Sequence, residues 1–427
     1  MSSPLNRRQF VKQTAALSAL AAIATPNLLL GQAKGANARV RVGIVGLGRG
    51  RAHIAGYLGV PNVEIAYLCD VDGTRLAKAA ADLEKVQSVK PKAVTDFRQI
   101  LDDPEIDAMS IAMPNFWHTP AAILSMKAGK HVYVEKPGSH NAREGELIVA
   151  AARKYNRNVQ MGNQRRSYPA MIEAIAKLRE GAIGKIYNSR SYYTNGRLSI
   201  NKSKHLAPPP ALNYELWQGP TPERAYADNL VPYNWHWVWH YGGGEMANNG
   251  PHMLDIVRWG LGVDHPKSVV FNGGRYHYDD DQETPDTGVA VYDFGTCGAT
   301  LEISSCHLRK PEVQPFAAFY GEGGVLSMTS AGYSIYDNKG VETFKNPGKA
   351  SDIPHFTNFI NSIRIGERLN SEIEEAQKSS LLCHLANIAY RSGKVIQFDQ
   401  QKKKIINSEG TEKLWTREYR PGWEPVV

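Results

Sequence analysis

The run Val40-Arg41-Val42-Gly43-Ile44-Val45, delivered straight into Gly46-Leu47-Gly48-Arg49-Gly50, limits this chain more than any other feature. A short apolar strand that feeds a glycine turn and then a helix start is the physical recipe for cradling a pyrophosphate. The glycines let the backbone approach the phosphates, and the helix N-terminus offers unpaired N–H groups at the positive end of its dipole. The third glycine falls one residue early, with Arg51 at its usual place. A second apolar run, Val63–Cys69, ends in Asp70, where an acid accepts the hydrogen bonds of an adenosine ribose. An acid there repels a 2′-phosphate and so favours NAD, while Arg49 and Arg51 leave NADP open.

The alternation continues down the chain. Gly73–Leu83 reads as a helix, Ala108–Ala112 as a strand ending in Met113-Pro114-Asn115, Thr119–Ala128 as a helix and His131–Val134 as a strand. Asn141–Tyr155 then reads as a helix, and Asn158–Gly162 closes the series. Strands and helices alternating at this spacing predict an α/β fold, a doubly wound parallel sheet over residues 39–166. Ligands of such sheets bind beyond the carboxyl ends of the strands. Asn115, Glu135, Lys136, Asn163 and Arg165 all fall there. A lysine at a strand end is ordinarily a solvated charge; Lys136, in His131-Val132-Tyr133-Val134-Glu135-Lys136-Pro137-Gly138, sits instead on the expected nucleotide edge.

The glycine turn, Ala112–Gly138 ("AMPNFWHTPAAILSMKAGKHVYVEKPG") and Gln160–Pro169 ("QMGNQRRSYP") resemble the Gfo/Idh/MocA oxidoreductases, NAD(P)-dependent enzymes that act mostly on sugars and cyclitols. The resemblance covers essentially everything after residue 38. It implies cofactor contacts from Gly46, Gly48, Arg49, Gly50, Asp70, Pro114, Asn115, His118, Glu135, Lys136, Asn163 and Arg165. It also implies that Lys136 lies beside nicotinamide and substrate, with a frequently cis peptide before the proline.

Residues 167–427 follow a different pattern. Ile186–Tyr193, Lys267–Asn272, Gly288–Phe294, Ala299–Cys306, Phe316–Gly321 and Gly324–Met328 read as strands of an open, mostly antiparallel sheet in an α+β domain. Between the first two lies Tyr233-Asn234-Trp235-His236-Trp237-Val238-Trp239-His240-Tyr241, which is either a core or interface cluster or a sugar platform. In the second case Tyr193, Trp235, His236, Trp239 and His240 would face substrate. The four-residue spacing of His236 and His240 would suit a metal on a helix, but the tryptophans and Gly242–Gly244 argue against a helix, and no metal is expected. Gly242–Asp255 matches the family pattern G-G-G-x-x-x-D-x-G-x-H-x-x-D, with His252 and Asp255 in place and Asn248 where the first acid belongs. An amide takes no proton, so Lys136 and His252 are left to handle it, with Asn248 orienting a hydroxyl. Ile353–Ile365 and Ile373–Tyr390 read as helices that, in the family, return to the nucleotide domain. Lys402–Lys404 reads as a solvated run and Trp415–Trp423 as a tail packed on the body.

Formal net charge is +8, but residues 1–38 hold Arg7, Arg8, Lys12 and Lys34 with no acid. What remains is too mild and dispersed for nucleic acid. The twin arginines, the apolar Ala15–Leu30 stretch and the small residues Ala33, Ala36 and Ala38 resemble a twin-arginine export signal. Periplasmic or otherwise exported protein is therefore expected, against a basic N-terminal helix on a cytoplasmic enzyme. Cys69, Cys297, Cys306 and Cys383 have neither finger nor C-x-x-C spacing and are expected as buried apolar residues.

The expected reaction is hydride transfer between a sugar's hydroxyl-bearing carbon and tightly bound NAD. The family also contains redox-neutral glycoside hydrolases that work through a transient 3-keto sugar. A non-catalytic sugar or nucleotide sensor on the same fold is the alternative from another class. A homo-oligomer is expected.

Overall fold

The computed structural model describes residues 38–427 except 205, 313 and 408, so the segment expected as an export signal lies, but for Ala38, outside the described residues. Six parallel strands form the first sheet: β1 (Val40–Val45), β2 (Val63–Cys69), β3 (Lys92–Val94), β4 (Ala108–Ile111), β5 (His131–Val134) and β6 (Val159–Met161), in the order β3-β2-β1-β4-β5-β6. Their near-continuous apolar runs are what burial on both faces demands; β4 is buried at every position. The order reverses at β1, which places a crevice beyond the carboxyl ends of β1 and β4. β3 has only three residues, two of them exposed, and too little apolar pattern to stand out in the sequence.

Helices are started by local chemistry. Asp72 caps Gly73–Glu84 by accepting from the N–H groups of Thr74 and Arg75, and Asn141 caps Ala142–Lys154 by accepting from Glu144 N. Gly250–Leu261 carries proline in its first turn and ends at Gly262 in the left-handed conformation.

The second sheet comprises β7 (Ile186–Thr194), β8 (Ser268–Gly274), β9 (Thr287–Asp293), β10 (Gly298–Ser304), β11 (Ala317–Gly321), β12 (Gly324–Met328), β13 (Tyr333–Tyr336), β14 (Glu342–Asn346), β15 (Ile396–Asp399) and β16 (Lys404–Ile405). Its order is β14-β13-β12-β11-β7-β10-β9-β8-β15-β16, antiparallel except for the parallel pair of β7 and β10. All six strands expected here form; the last four, short or at the sheet's ends, were not expected. Helices Gly250–Leu261 and Ile373–Ser392 share one hydrophobic core with the sheet. Ile353–Ile365 returns to the first domain, where Phe356 stacks on Tyr133 and packs edge-on against Tyr57. Cys69 and Cys383 are buried as expected, while Cys297 and Cys306 are only half-buried; all four are free thiols. Among the described residues no helix is long and apolar enough to cross a membrane.

Candidate active site

A cleft of about 990 Å³ runs from the glycine turn to the face of the second sheet, with Gly46, Asp70, Asn115, Lys136, Tyr193 and His252 among its walls. Gly46 has φ +85°, and a Cβ there would lie 2.6 Å from Ala112 O, so only glycine fits the turn. Both Asp70 oxygens accept backbone N–H groups, from Leu47 (2.7 Å) and Asp72 (2.9 Å), which ties the turn to the end of β2. Burial pushes the Asp70 carboxyl up, against those two bonds.

At the end of β5, Glu135 is a charge anchor. His53 Nε2 (3.1 Å), Arg49 Nε (3.2 Å) and Gln164 Nε2 (3.1 Å) all converge on its Oε1. Burial raises its pKa, but the His53 hydrogen bond and the charge of Arg49 outweigh that and hold it well below the carboxylate range. The next peptide, Lys136–Pro137, is cis. Pro137 O accepts from Ser380 Oγ (2.6 Å) on helix Ile373–Ser392, which pins the segment to the second domain.

Lys136 Nζ then donates twice to one residue: to Asn248 Oδ1 at 2.9 Å and to Asn248 O. Asn248 Nδ2 in turn faces Tyr233 Oη (3.3 Å) and Glu245 Oε1 (3.4 Å), which fixes the amide with its oxygen toward Lys136. Glu245 is fully buried one turn earlier and is clamped by Arg197, Nε to Oε2 at 2.8 Å and Nη2 to Oε1 at 3.3 Å. Arg197 also donates to Tyr193 Oη at 3.1 Å. Burial pushes the Lys136 ammonium down, while Glu135 and Glu245 pull it back up. Asn248 thus holds the lysine rather than orienting a substrate hydroxyl, because both ends of its amide are already engaged.

Two neutral imidazoles complete the wall. His118 Nε2 donates to Met113 O at 2.8 Å, and its Nδ1 has no protein partner; burial lowers its pKa to about 4. With Nε2–H committed, Nδ1 presents a lone pair. Burial, together with the charges of Arg165 and Lys136, also holds His252 well below the usual range, and its Nδ1 is likewise unpartnered. Lys136 and His252 line one cleft without a hydrogen bond between them. Asp255 takes no part: it is clamped by Arg166 at 2.7 and 2.8 Å and by Ser379 at 2.7 Å.

The family profiles decide the relationship. The Gfo/Idh/MocA oxidoreductase family's NAD-binding Rossmann fold matches residues 40–163, and its C-terminal alpha/beta domain matches 184–290 and 338–425. The chain belongs to the Gfo/Idh/MocA family. A "Glycosyl hydrolase family 109 protein" of Shewanella putrefaciens is 30% identical over 159 residues, which is 36% of this chain and 35% of that protein. The chain therefore matches only about a third of that relative's length. Among solved structures, the WlbA dehydrogenase from Bordetella pertussis, in complex with NADH and UDP-GlcNAcA, superposes with a TM-score of 0.65 at 19% identity. The match covers 84% of this chain and 99% of that one. A levoglucosan dehydrogenase in complex with NADH and levoglucosan gives 0.66 at 18% identity, over 84% and 99%. These likenesses establish the shared fold.

Of the residues singled out in the sequence, the family fold brings Gly46, Gly48, Arg49, Asp70, Pro114, Asn115, His118, Glu135, Lys136, Arg165, Tyr193, Trp235, His236, Asn248 and His252 to this cleft. Four lie elsewhere. Gly50 N–H closes onto Gly46 O, and a Cβ there would meet Ile44, so this glycine serves helix–strand packing. Asn163 is buried, does not line the cleft, and has no protein partner at either end of its amide among the described residues. Trp239 and His240 line a different cavity, because the short 3₁₀ turn Asn234–Trp237 ends before them and the chain turns away. Arg197 and Glu245 were not singled out in the sequence, and Tyr233 and Trp423 were read only as part of the aromatic stretch and of the packed tail, because no spacing ties any of them to Lys136. Trp423 packs edge-on against Trp117 and closes the nucleotide end.

An NAD molecule fits these residues. The glycine cradle admits only backbone, the helix Gly50–Leu58 opens beside it, and the unpartnered His118 Nδ1 and Arg165 Nε lie on or against the same cleft.

Proposed function

We propose that this protein is an NAD-dependent oxidoreductase acting on a sugar or sugar derivative, with Lys136 as the proton-handling group. The double donation from Lys136 Nζ to Asn248 carries the proposal. A neutral amine has two N–H bonds; with both given to Asn248, the nitrogen lone pair is left to face the cleft and receive a hydroxyl proton. Burial already favours that neutral form. His252, neutral and facing the same space, can take a hydrogen bond from the same or a neighbouring hydroxyl. NAD, when bound, supplies the hydride acceptor. Tyr193, Trp235 and His236 give the opposite wall an amphipathic surface suited to a sugar ring.

A second reading is favoured by the glycosyl hydrolase relative and by the N-terminal twin arginines: an exported enzyme that keeps its nucleotide and returns the hydride within each turnover. Transient oxidation at sugar C3 would acidify C2–H, so that the glycosidic group leaves by elimination, water adds and the ketone is reduced. Nucleotide analysis of the purified protein, followed by incubation with aldoses and with aryl glycosides in D₂O, tests both. NADH accumulation with an aldose supports the dehydrogenase. Aglycone release with deuterium at C2 supports the hydrolase. Protein that neither retains nor binds NAD would overturn both readings.

A further inference from the structure

A second cavity of about 390 Å³ is lined by His140 and Asn141, which follow the Lys136 segment in the chain. Its walls include His140, Trp239, His240, His384, Arg391 and Arg417, so Trp239 and His240 of the aromatic stretch open here and not on the main cleft. We infer that this cavity is a second binding site, for a monosaccharide unit bearing a carboxylate.

Its interior offers both hydrogen-bond polarities. Arg417 commits Nε to Glu144 (2.8 Å) and Nη2 to Phe116 O (2.7 Å), leaving Nη1 buried and without a protein partner. Both ring nitrogens of His140 are buried and unpartnered. Ser139 Oγ gives its proton to Gln377 Oε1 (2.8 Å) and therefore accepts from His384 Nε2 (3.0 Å), which leaves His384 Nδ1 as a lone pair. His240 donates Nε2–H to Pro222 O (2.9 Å), leaving its Nδ1 as an acceptor as well. Hydroxyls, which donate and accept at once, answer such a mixture; a simple anion answers only the donors. The Trp239 indole adds an aromatic wall, with the Arg391 guanidinium 4.9 Å from its centroid.

Charge selects an acidic sugar. Arg224, Arg391 and Lys413 line the cavity, and among the described residues their side chains make no hydrogen bond or ion pair with an acid. Of the three carboxylates there, Glu223 is paired with Arg420, while Glu283, which accepts from Trp239 N and acts on Arg391 through its charge, and Glu418 remain, so three cations stand against two carboxylates. The volume lies in the range of small-ligand pockets. Among the described residues none lines both this cavity and the active cleft, so the site does not depend on chemistry at Lys136.

Isothermal titration of the full chain with D-glucuronate, D-glucose and sodium sulfate tests the assignment. Saturable glucuronate binding is expected, with glucose and sulfate each at least about tenfold weaker. Arg391→Ala and Trp239→Ala should each weaken glucuronate by about tenfold, the first without altering the melting temperature, since Arg391 is exposed, whereas Lys136→Ala should leave glucuronate binding unchanged. Sulfate binding as tightly as glucuronate would reduce the site to an anion pocket and overturn the proposal. So would absence of glucuronate binding, or binding that is abolished by Lys136→Ala and indifferent to Arg391→Ala, which would locate it in the main cleft.

Discussion

Lys136 Nζ and Asn248 Oδ1 lie 2.9 Å apart, across the boundary between the two domains, in the position where the family pattern has an acid. An amide oxygen orients the amine and stabilises its charge only as a dipole; a carboxylate would add a full opposite charge. Asn248→Asp should therefore raise the Lys136 pKa and move the rising limb of the kcat/KM–pH profile upward by about 1–2 units. Activity near pH 7 should drop, and part of it should return at higher pH. Asn248→Ala leaves the amine unaimed, and kcat should fall about 10²-fold with little change in KM. Pre-steady-state and pH-rate measurements on the two variants separate charge from orientation; identical profiles would contradict this assignment.

Glu245 acts on the same lysine at one remove. It orients the Asn248 amide and its charge pulls the Lys136 pKa upward. Glu245→Gln removes that charge and leaves Arg197 unbalanced, both of which favour the neutral amine. The pH-rate inflection should move down, opposite in sign to Asn248→Asp. The loss of the Arg197 pair should also lower stability by about 1–3 kcal/mol in urea unfolding. A stability loss with no movement of the inflection would make Glu245 merely structural.

The nucleotide half was legible because its constraints are local. Val40–Gly50, Asp70 and the apolar strand runs each carry their meaning within a few residues, and the parallel sheet that forms contains all five strands they imply, with the short, exposed β3 added at its edge. The Lys136 relay was half legible. Asn248 and His252 could be placed by pattern, but Arg197 reaches Glu245 from 48 positions away, and nothing in the sequence marks that distance. Trp239 and His240 were misplaced because alternating aromatics look uniform in sequence, while a single 3₁₀ turn divides them between two cavities. The strands β13 to β16 escaped for another reason: short strands near an exposed sheet edge carry too few buried positions to impose a period on the sequence.

Asp255, the last acid of the glycine–histidine motif, should prove structural. Its two oxygens take both arms of the Arg166 fork and the Ser379 hydroxyl, and both side chains of the ion pair are almost wholly buried. Neutralising one partner strands the other charge in the interior. Asp255→Asn should cost about 3–5 kcal/mol in chemical unfolding. In whatever folded fraction remains, the pH-rate inflection assigned to Lys136 should stay where it was. A shifted inflection would instead place Asp255 in the proton path.

Buried neutral histidines should make the protein acid-sensitive well above the carboxylate range. His355 donates Nε2–H to Met161 O at 3.0 Å and meets Ser167 Oγ at 2.7 Å through Nδ1, fully buried between the two domains. Burial lowers its pKa from 6.5 to about 4. The unfolded chain binds this proton near pH 6.5 while the folded chain resists it until about 4, so the contribution is intact above 6.5 and is lost as pH falls through that window. At about 1.4 kcal/mol per unit, the loss from this one ring is on the order of 3 kcal/mol. Urea unfolding at pH 7, 5.5 and 4.5 should show stability falling steadily. His355→Gln, though less stable at pH 7, should show a slope smaller by about one proton. The slope should not vanish, because His118 and His384 are depressed to about 4 by the same burial. A wild-type stability flat between pH 7 and 4.5 would mean that these rings titrate normally in the folded protein.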